Sequence, residues 1–372
     1  MNPIRFCLIT LSVLALASCG GSGSGSSTPP PPPAAASYHM ALQGSAIARA
    51  NTSDCWGYTA PNGDRYGLMG TQTGMLVADL RNAANPTVVA DITGPENGDP
   101  YFHHDIKTYG HYAYLSSETT GTRQGILIVD LSPLPSAPTY VRSLTPQDGS
   151  PTCHNLSIET TRGLLFLQRD NGGSLKGIEV WDLNTDPANP IYVTTFASGT
   201  PVHDMVAQGN YCYVANGSRG TFSVWDVSNI NAPVLKNTWT GYGGYAHNIW
   251  PNANGTIVGT SEETVNHRIR FWSVDNTGQA TEISSYLWTT PVIAHNVQWE
   301  GTRAYISHYT AGMVVLDMST PSSPAVIGSY DTSPAHSGGT FNGCWGVYCF
   351  PGSNDFIASD IENGFHYLHL TP

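Results

Sequence analysis

The sequence has 372 residues, enough for one large all-β domain or two ordinary ones. Charged residues make up only 11% of it, against a usual share of about 25%, while 39 glycines and 26 prolines demand many turns, which excludes coiled coils and long helical bundles. The formal charge is -12 with only three lysines, so no basic stripe exists to track a phosphate backbone and nucleic acid is not an expected partner.

From the N-terminus, Arg5 precedes an apolar stretch, Phe6 to Ala17, that is too short to span a bilayer as a stable helix but suits a signal peptide. It ends in Leu16-Ala17-Ser18-Cys19, which resembles the lipobox of bacterial lipoproteins. The resemblance implies that residues 1–18 are removed, that Cys19 carries diacylglycerol, and that the membrane is a partner through this lipid anchor. Gly20, rather than Asp, follows the cysteine, which by the same resemblance implies the outer membrane and a cell-envelope location. Residues 19–37 read as a tether, with a Gly/Ser run to Ser27 that flexes and a proline rod, Pro29 to Pro33, that extends.

Residues 38–372 carry a repeat that recurs seven times. Its markers are Cys55-Trp56, His104-Asp105, His154-Asn155, His203-Asp204, His247-Asn248, His295-Asn296 and Cys344-Trp345, spaced by 49, 50, 49, 44, 48 and 49 residues. Each marker opens a short run, followed by a second such as Tyr112 to Leu115, then a third that ends in aspartate at Asp79, Asp130, Asp182, Asp226 or Asp317. A turn follows, usually with proline, and a fourth run closes the unit. The fifth unit has Ser273 where that aspartate is expected, and no proline after it. Four short strands per repeat of this length predict an all-β, seven-bladed β-propeller. The seventh unit lacks its fourth strand, so the N-terminal segment Tyr38 to Leu42 is expected to complete the last blade.

The apolar run ending in Asp, then a turn and Pro, resembles the LVIVD repeat. With Cys55-Trp56-Gly57-Tyr58 at the entry and Ile357 to Gly364 near the end, the chain is similar to the choice-of-anchor B family of surface-anchored propellers. The resemblance covers roughly Asp54 to Leu370 and implies a fold and an envelope location, but no reaction.

In a propeller the first strand of each blade lies nearest the axis, so equivalent positions form a ring around the channel mouth. One reading makes His104, His154, His203, His247 and His295 converging ligands for a transition metal, copper or zinc. Their orienting partners would be Asp105, Asn155, Asp204, Asn248 and Asn296 beside them, and Glu118, Asp170, Glu262, His308 and Glu362 from the loops after the second strands; Asn216 and Glu263 also lie on these loops. The other reading is scaffolding, in which each His bonds the third-strand Asp of its own blade. Cys55 and Cys344 occupy equivalent sites in blades that become neighbours on closure. They read as a disulfide, as two thiolate ligands or as inert buried residues. Trp56, Trp181, Trp225, Trp272 and Trp345 read as packing between blades. Two functions remain open: an envelope module that binds a protein, glycan or other extracellular ligand, and a metalloprotein or redox enzyme centred on the mouth.

Overall fold

The computed structural model describes residues 37–95, 103–170, 175–288 and 291–371. The expected signal peptide, Cys19 and the expected tether through residue 36 lie outside the described residues. Among the described residues every regular element is a β-strand, and the strands form seven antiparallel sheets. The protein is a seven-bladed propeller.

Blade 1 comprises Thr52–Thr59, Arg65–Thr71, Gly74–Asp79 and Thr87–Thr93, paired in that order. Blades 2 to 6 repeat the pattern, beginning at Ile106–Tyr109, Leu156–Glu159, Asp204–Gln208, Ala246–Pro251 and Val297–Glu300. Residue type follows radial position. Third strands such as Ile126–Asp130 are buried along their length except at the final Asp, because neighbouring blades cover both faces. Outer strands such as Val234–Thr240 are mostly exposed and carry Lys, Asn and Thr.

A register shift between the third and fourth strands recurs in blades 1 to 6, for example at Val77/Ala78, Val180/Trp181 and Val315/Leu316. A bulge at this place adds twist, which suits a wedge-shaped blade. The third-strand aspartates turn outward and organise the following turn: Asp130 accepts from Ser132 N at 2.8 Å, Asp226 from Ser228 N at 2.9 Å and Asp317 from Ser319 N at 2.8 Å. In blade 5, where Ser273 replaces that aspartate, Asp275 does the work instead and accepts from Thr277 N and Gln279 N at 2.8 and 3.0 Å. Its fourth strand, Ala280–Tyr286, forms normally.

Blade 7 consists of Cys344–Cys349, Asp355–Asp360 and Gly364–Leu370, completed by Met40–Leu42, whose register sets Met40 against Leu370. The N-terminal segment does more than the sequence suggests. Ser37–Tyr38 adds a fifth strand to blade 6 against Ala325–Tyr330, so one segment straps blades 6 and 7 together. Ser37, assigned above to the tether, thus sits in a strand. Met40 is buried where Gly328 leaves room: a Cβ there would meet Met40 Cγ at 2.9 Å and Leu370 Cδ1 at 2.4 Å. Met40→Ala is expected to cost about 2–4 kcal/mol by chemical denaturation. Deleting residues 37–42 should cost more and broaden the transition, because it exposes the edges of two blades.

Candidate metal centre at the channel mouth

Seven first strands start close to the axis, and the side chains at their entry have only one another to pack against. Six rings close a circle there. Centroid separations are 6.0 Å from His103 to His154, 4.5 Å to His203, 4.2 Å to His247, 4.4 Å to His295, 4.8 Å to Trp345 and 4.6 Å back to His103. Blades 2 to 7 each supply one ring and blade 1 supplies none.

Four of the five predicted histidines are therefore neighbours, and the fifth is corrected. His104 turns away from the circle and His103 takes its place. The His104 Nδ1 donates to Ser116 O at 2.8 Å, its backbone N–H donates to Ser53 Oγ at 3.1 Å, and its Cβ packs against Gly70, where any side chain would collide with it. Burial pushes His104 down to about 4, so it is a neutral element of the joint between blades 1 and 2. Trp345, assigned above to packing between blades, completes the circle instead.

Two carboxylates from second-strand loops enter the circle, each between a pair of imidazoles. Glu118 Oε2 lies 3.2 Å from His103 Nδ1 and 3.1 Å from His154 Nδ1. Burial alone would raise Glu118, but the charge of His154 and the hydrogen bonds from both imidazoles hold it well below the usual carboxylate range. Glu118 in turn raises His154 against the effect of burial.

Glu263 differs. Its Oε1 is 3.6 Å from His247 Nε2 and 3.9 Å from His295 Nε2, and accepts the Tyr309 hydroxyl at 2.5 Å. The His295 Nδ1 donates to Trp345 O at 2.5 Å, which leaves a bare lone pair on Nε2. Burial drives His295 down to about 3; burial and the adjacent imidazoles drive His247 well below its ordinary value, so neither offers Glu263 a positive charge. Burial accordingly raises Glu263 itself.

His203 belongs to neither triad. Its Nδ1 donates to His247 O at 2.8 Å and fixes the ring between His154 and His247. Above the circle opens a cavity of about 460 Å3, walled by Tyr245, Tyr309, Phe341, Trp345 and Val202 besides the first triad and the His247 and Glu263 members of the second.

The other predicted partners serve the scaffold. Asp105 Oδ2 accepts from Leu156 N at 2.9 Å in the next blade, and Asn248 Oδ1 from Val297 N at 3.0 Å, while Asn248 Nδ2 donates to Asp204 Oδ2 at 2.7 Å. These residues tie blade to blade one layer below the imidazoles and orient none of them. With Asn155, Asn296 and Lys107 they line a small polar chamber of about 30 Å3. Asp170 accepts from Gly177 N and Val202 N. Glu262 accepts from Tyr242 N and Gly244 N, both at 2.9 Å, and Glu362 from Gly343 N at 2.9 Å, so all three organise loops. Asn216 binds Thr221 Oγ1 at 3.1 Å within its own loop. His308 is buried beside Tyr286 and Trp288, away from the mouth cavity.

Cys55 and Cys344 are both free thiols, packed in different core clusters. Burial pushes each well above its ordinary value, and neither belongs to a cluster of ligand atoms close enough to share an ion among the described residues. The alternative pairing of each histidine with its third-strand aspartate does not occur either, since those aspartates sit in the outward turns described above.

His104→Ala should therefore lower stability by about 2 kcal/mol or more in denaturant titrations, through loss of a buried hydrogen-bonded ring. Asp204 offers a pH test. Burial and the nearby Asp105 raise it to about 7, so the folded state holds a proton that the unfolded chain releases near 4. Stability from this group is present at low pH and is lost as pH rises through 7. Relative to the native chain, Asp204→Asn should gain between pH 4 and 8 by at most about 4 kcal/mol, measured by urea unfolding across that range.

Comparison with known proteins agrees with this architecture. The LVIVD repeat model matches residues 103–145, 201–240 and 293–332, which fall in blades 2, 4 and 6. A search of curated proteins returns no match. Among solved structures, the β-propeller domain of Myceliophteria thermophila Cps50 (Swd1) is 11% identical with a TM-score of 0.59, covering 88% of this chain and 99% of that one. U3-55K is 10% identical with a TM-score of 0.62, covering 89% and 98%. A protein from Lactobacillus plantarum is 18% identical with a TM-score of 0.55, covering 66% and 74%. At these identities the likeness concerns the fold alone. The chain is a β-propeller that carries LVIVD repeats.

Proposed function

We propose that the channel mouth binds divalent transition-metal ions at two centres, His247/Glu263/His295 and His103/Glu118/His154, and uses their open coordination positions to hold a small ligand. One observation carries this reading. The half-buried Glu263 carboxylate faces two imidazoles that burial keeps neutral, one of which must present a lone pair, so acceptors crowd it and, among the described residues, the Tyr309 hydroxyl is the donor that reaches it. A divalent cation would satisfy all three ligand groups at once.

The geometry suits such an ion. Metal–ligand bonds of about 2.0–2.1 Å in a tetrahedron set donor atoms about 3.3 Å apart. The separations of 3.1 and 3.2 Å in one triad already meet this, and those of 3.6 and 3.9 Å in the other need a contraction of a few tenths. Two imidazoles and one carboxylate with an open side are the donor set of catalytic zinc and of non-haem iron(II) centres. Neither triad contains a sulfur ligand, which disfavours copper(I). The ligand-binding module and the metalloprotein read from the sequence thereby become one function. Display at the cell envelope, on a lipid anchor at Cys19, is supported by the Leu16 to Cys19 lipobox and the tether after it.

The test is elemental analysis of the full chain, purified without chelator or affinity histidines and supplemented with zinc, iron, manganese or copper. Close to two equivalents of one ion are expected, and absence of near-stoichiometric metal after all four would overturn the proposal. Glu263→Gln should remove one equivalent and Glu118→Gln the other, each with the propeller still folded. At a free-metal concentration 100 times Kd, loading should stabilise the fold by about 2.7 kcal/mol per site, readable as a metal-dependent rise in Tm.

A further inference from the structure

The metal reading leaves open what the two centres hold between them, and the walls of the cavity restrict the answer. The triads stand on opposite sides of the circle, separated by His203 along one arc and by Trp345 along the other. Each triad offers three ligand atoms, and both border the same cavity, one through His103, Glu118 and His154 and the other through His247 and Glu263. No Lys or Arg lines it among the described residues, and Glu118, Glu263 and Asp170 do. Unloaded, the mouth repels anions. Loaded, each divalent ion outweighs its single glutamate, and the only positive charge available to a ligand is at the metals.

The walls above them are aromatic. Tyr245 is 38% exposed and Phe341 59% exposed, and both line the cavity. Tyr245 stands at 81° to the His203 ring with centroids 5.1 Å apart, and Phe341 at 83° to Tyr309 at 5.4 Å. Each is held at its base by a ring of the site and left uncovered toward the opening. A volume of about 460 Å3 holds a ligand of one or two rings and is large for a bare oxyanion.

Resting on the metal proposal, we infer that the ligand is a planar aromatic anion, a carboxylate or phenolate, whose charged oxygen completes a metal centre while its ring stacks between Tyr245 and Phe341. The metals set the charge requirement and the aromatic rim sets the shape requirement. Neither alone selects such a molecule.

Calorimetric titration of the zinc-loaded full chain separates the two contributions. The probes are benzoate, cyclohexanecarboxylate, acetate and phosphate, with 4-nitrocatechol as the phenolate arm, read by its visible band. Benzoate or 4-nitrocatechol should bind at least tenfold more tightly than acetate, cyclohexanecarboxylate and phosphate. The double variant Tyr245→Ala/Phe341→Ala should keep its zinc and lose that preference to within about twofold, the range expected when stacking is removed. Tyr245→Phe/Phe341→Tyr, which preserves the rings, should retain it and so controls for folding. Zinc-loaded protein that binds benzoate and 4-nitrocatechol no better than acetate would overturn this inference and leave the metal centres standing. Equal aromatic binding by the metal-free chain would overturn it too, since the anchor would not be the metal. A chain that takes up no metal removes the reading beneath it, a result already distinguished by elemental analysis.

Discussion

Radial closure is the constraint on which everything else in this molecule rests. A strand at the centre of a propeller has neighbours on every side and solvent only at its two ends, so the residues at its entry must either fill the axis with carbon or satisfy polar atoms against one another. This chain takes the second course. It stacks two polar layers, imidazoles above and a lattice of Asp and Asn below, and the lower layer makes the upper one usable. Asp105 and Asn248 reach to backbone N–H groups of the next blade, and this lower lattice joins the blades alongside the Nδ1 atoms of His203 and His295, each of which donates to a carbonyl of the next blade. His295 is left with a lone pair on Nε2 that this scaffold does not consume.

The lower layer also accounts for the one lysine near the axis. Lys107 lies against Asp105 and within 3.8 Å of Asp54, with its ammonium 4.5 Å above the Trp56 ring. A tethered cation neutralises the acidic chamber from within, so that chamber and mouth have opposite electrostatic needs. Below, the positive charge is covalently supplied; above, two carboxylates enter among imidazoles of which Glu118 raises His154 while burial lowers His203, His247 and His295.

Blade number, strand order and the closing strand were legible in the sequence because they depend on local signals: turn chemistry, alternating runs and a period near 49 residues. The site was legible in outline only. Its residues are separated from their neighbours in sequence by a single position, and the choice between them is made by contacts far along the chain. His103 and His104 are indistinguishable as a dipeptide, and Gly70, in the preceding blade, decides which of them has room to tuck away. Glu262 and Glu263 differ likewise. The strand Ile257–Glu262 directs the first toward the backbone of Gly244, and the second falls beyond the strand end, facing the axis. Trp345 was hidden by its neighbour Cys344, which carried the repeat signal, and the lone position of His203 between two triads has no counterpart in any linear pattern. Asp and Asn beside each histidine looked like orienting partners because sequence adjacency mimics spatial adjacency; in a strand, successive side chains face opposite ways.

The strap formed by residues 37–42 gives the molecule a mechanical direction. Tension applied along the chain ahead of Ser37 meets first the two-residue pairing with Tyr330 and Ser329, and only then the three-residue pairing with Leu370, His369 and Leu368. The first is a short edge that can yield and re-form; the second holds Met40 in its buried seat. A pull strong enough to peel the fifth strand from blade 6 would thus leave the ring locked, so the propeller has a sacrificial joint in series with its clasp.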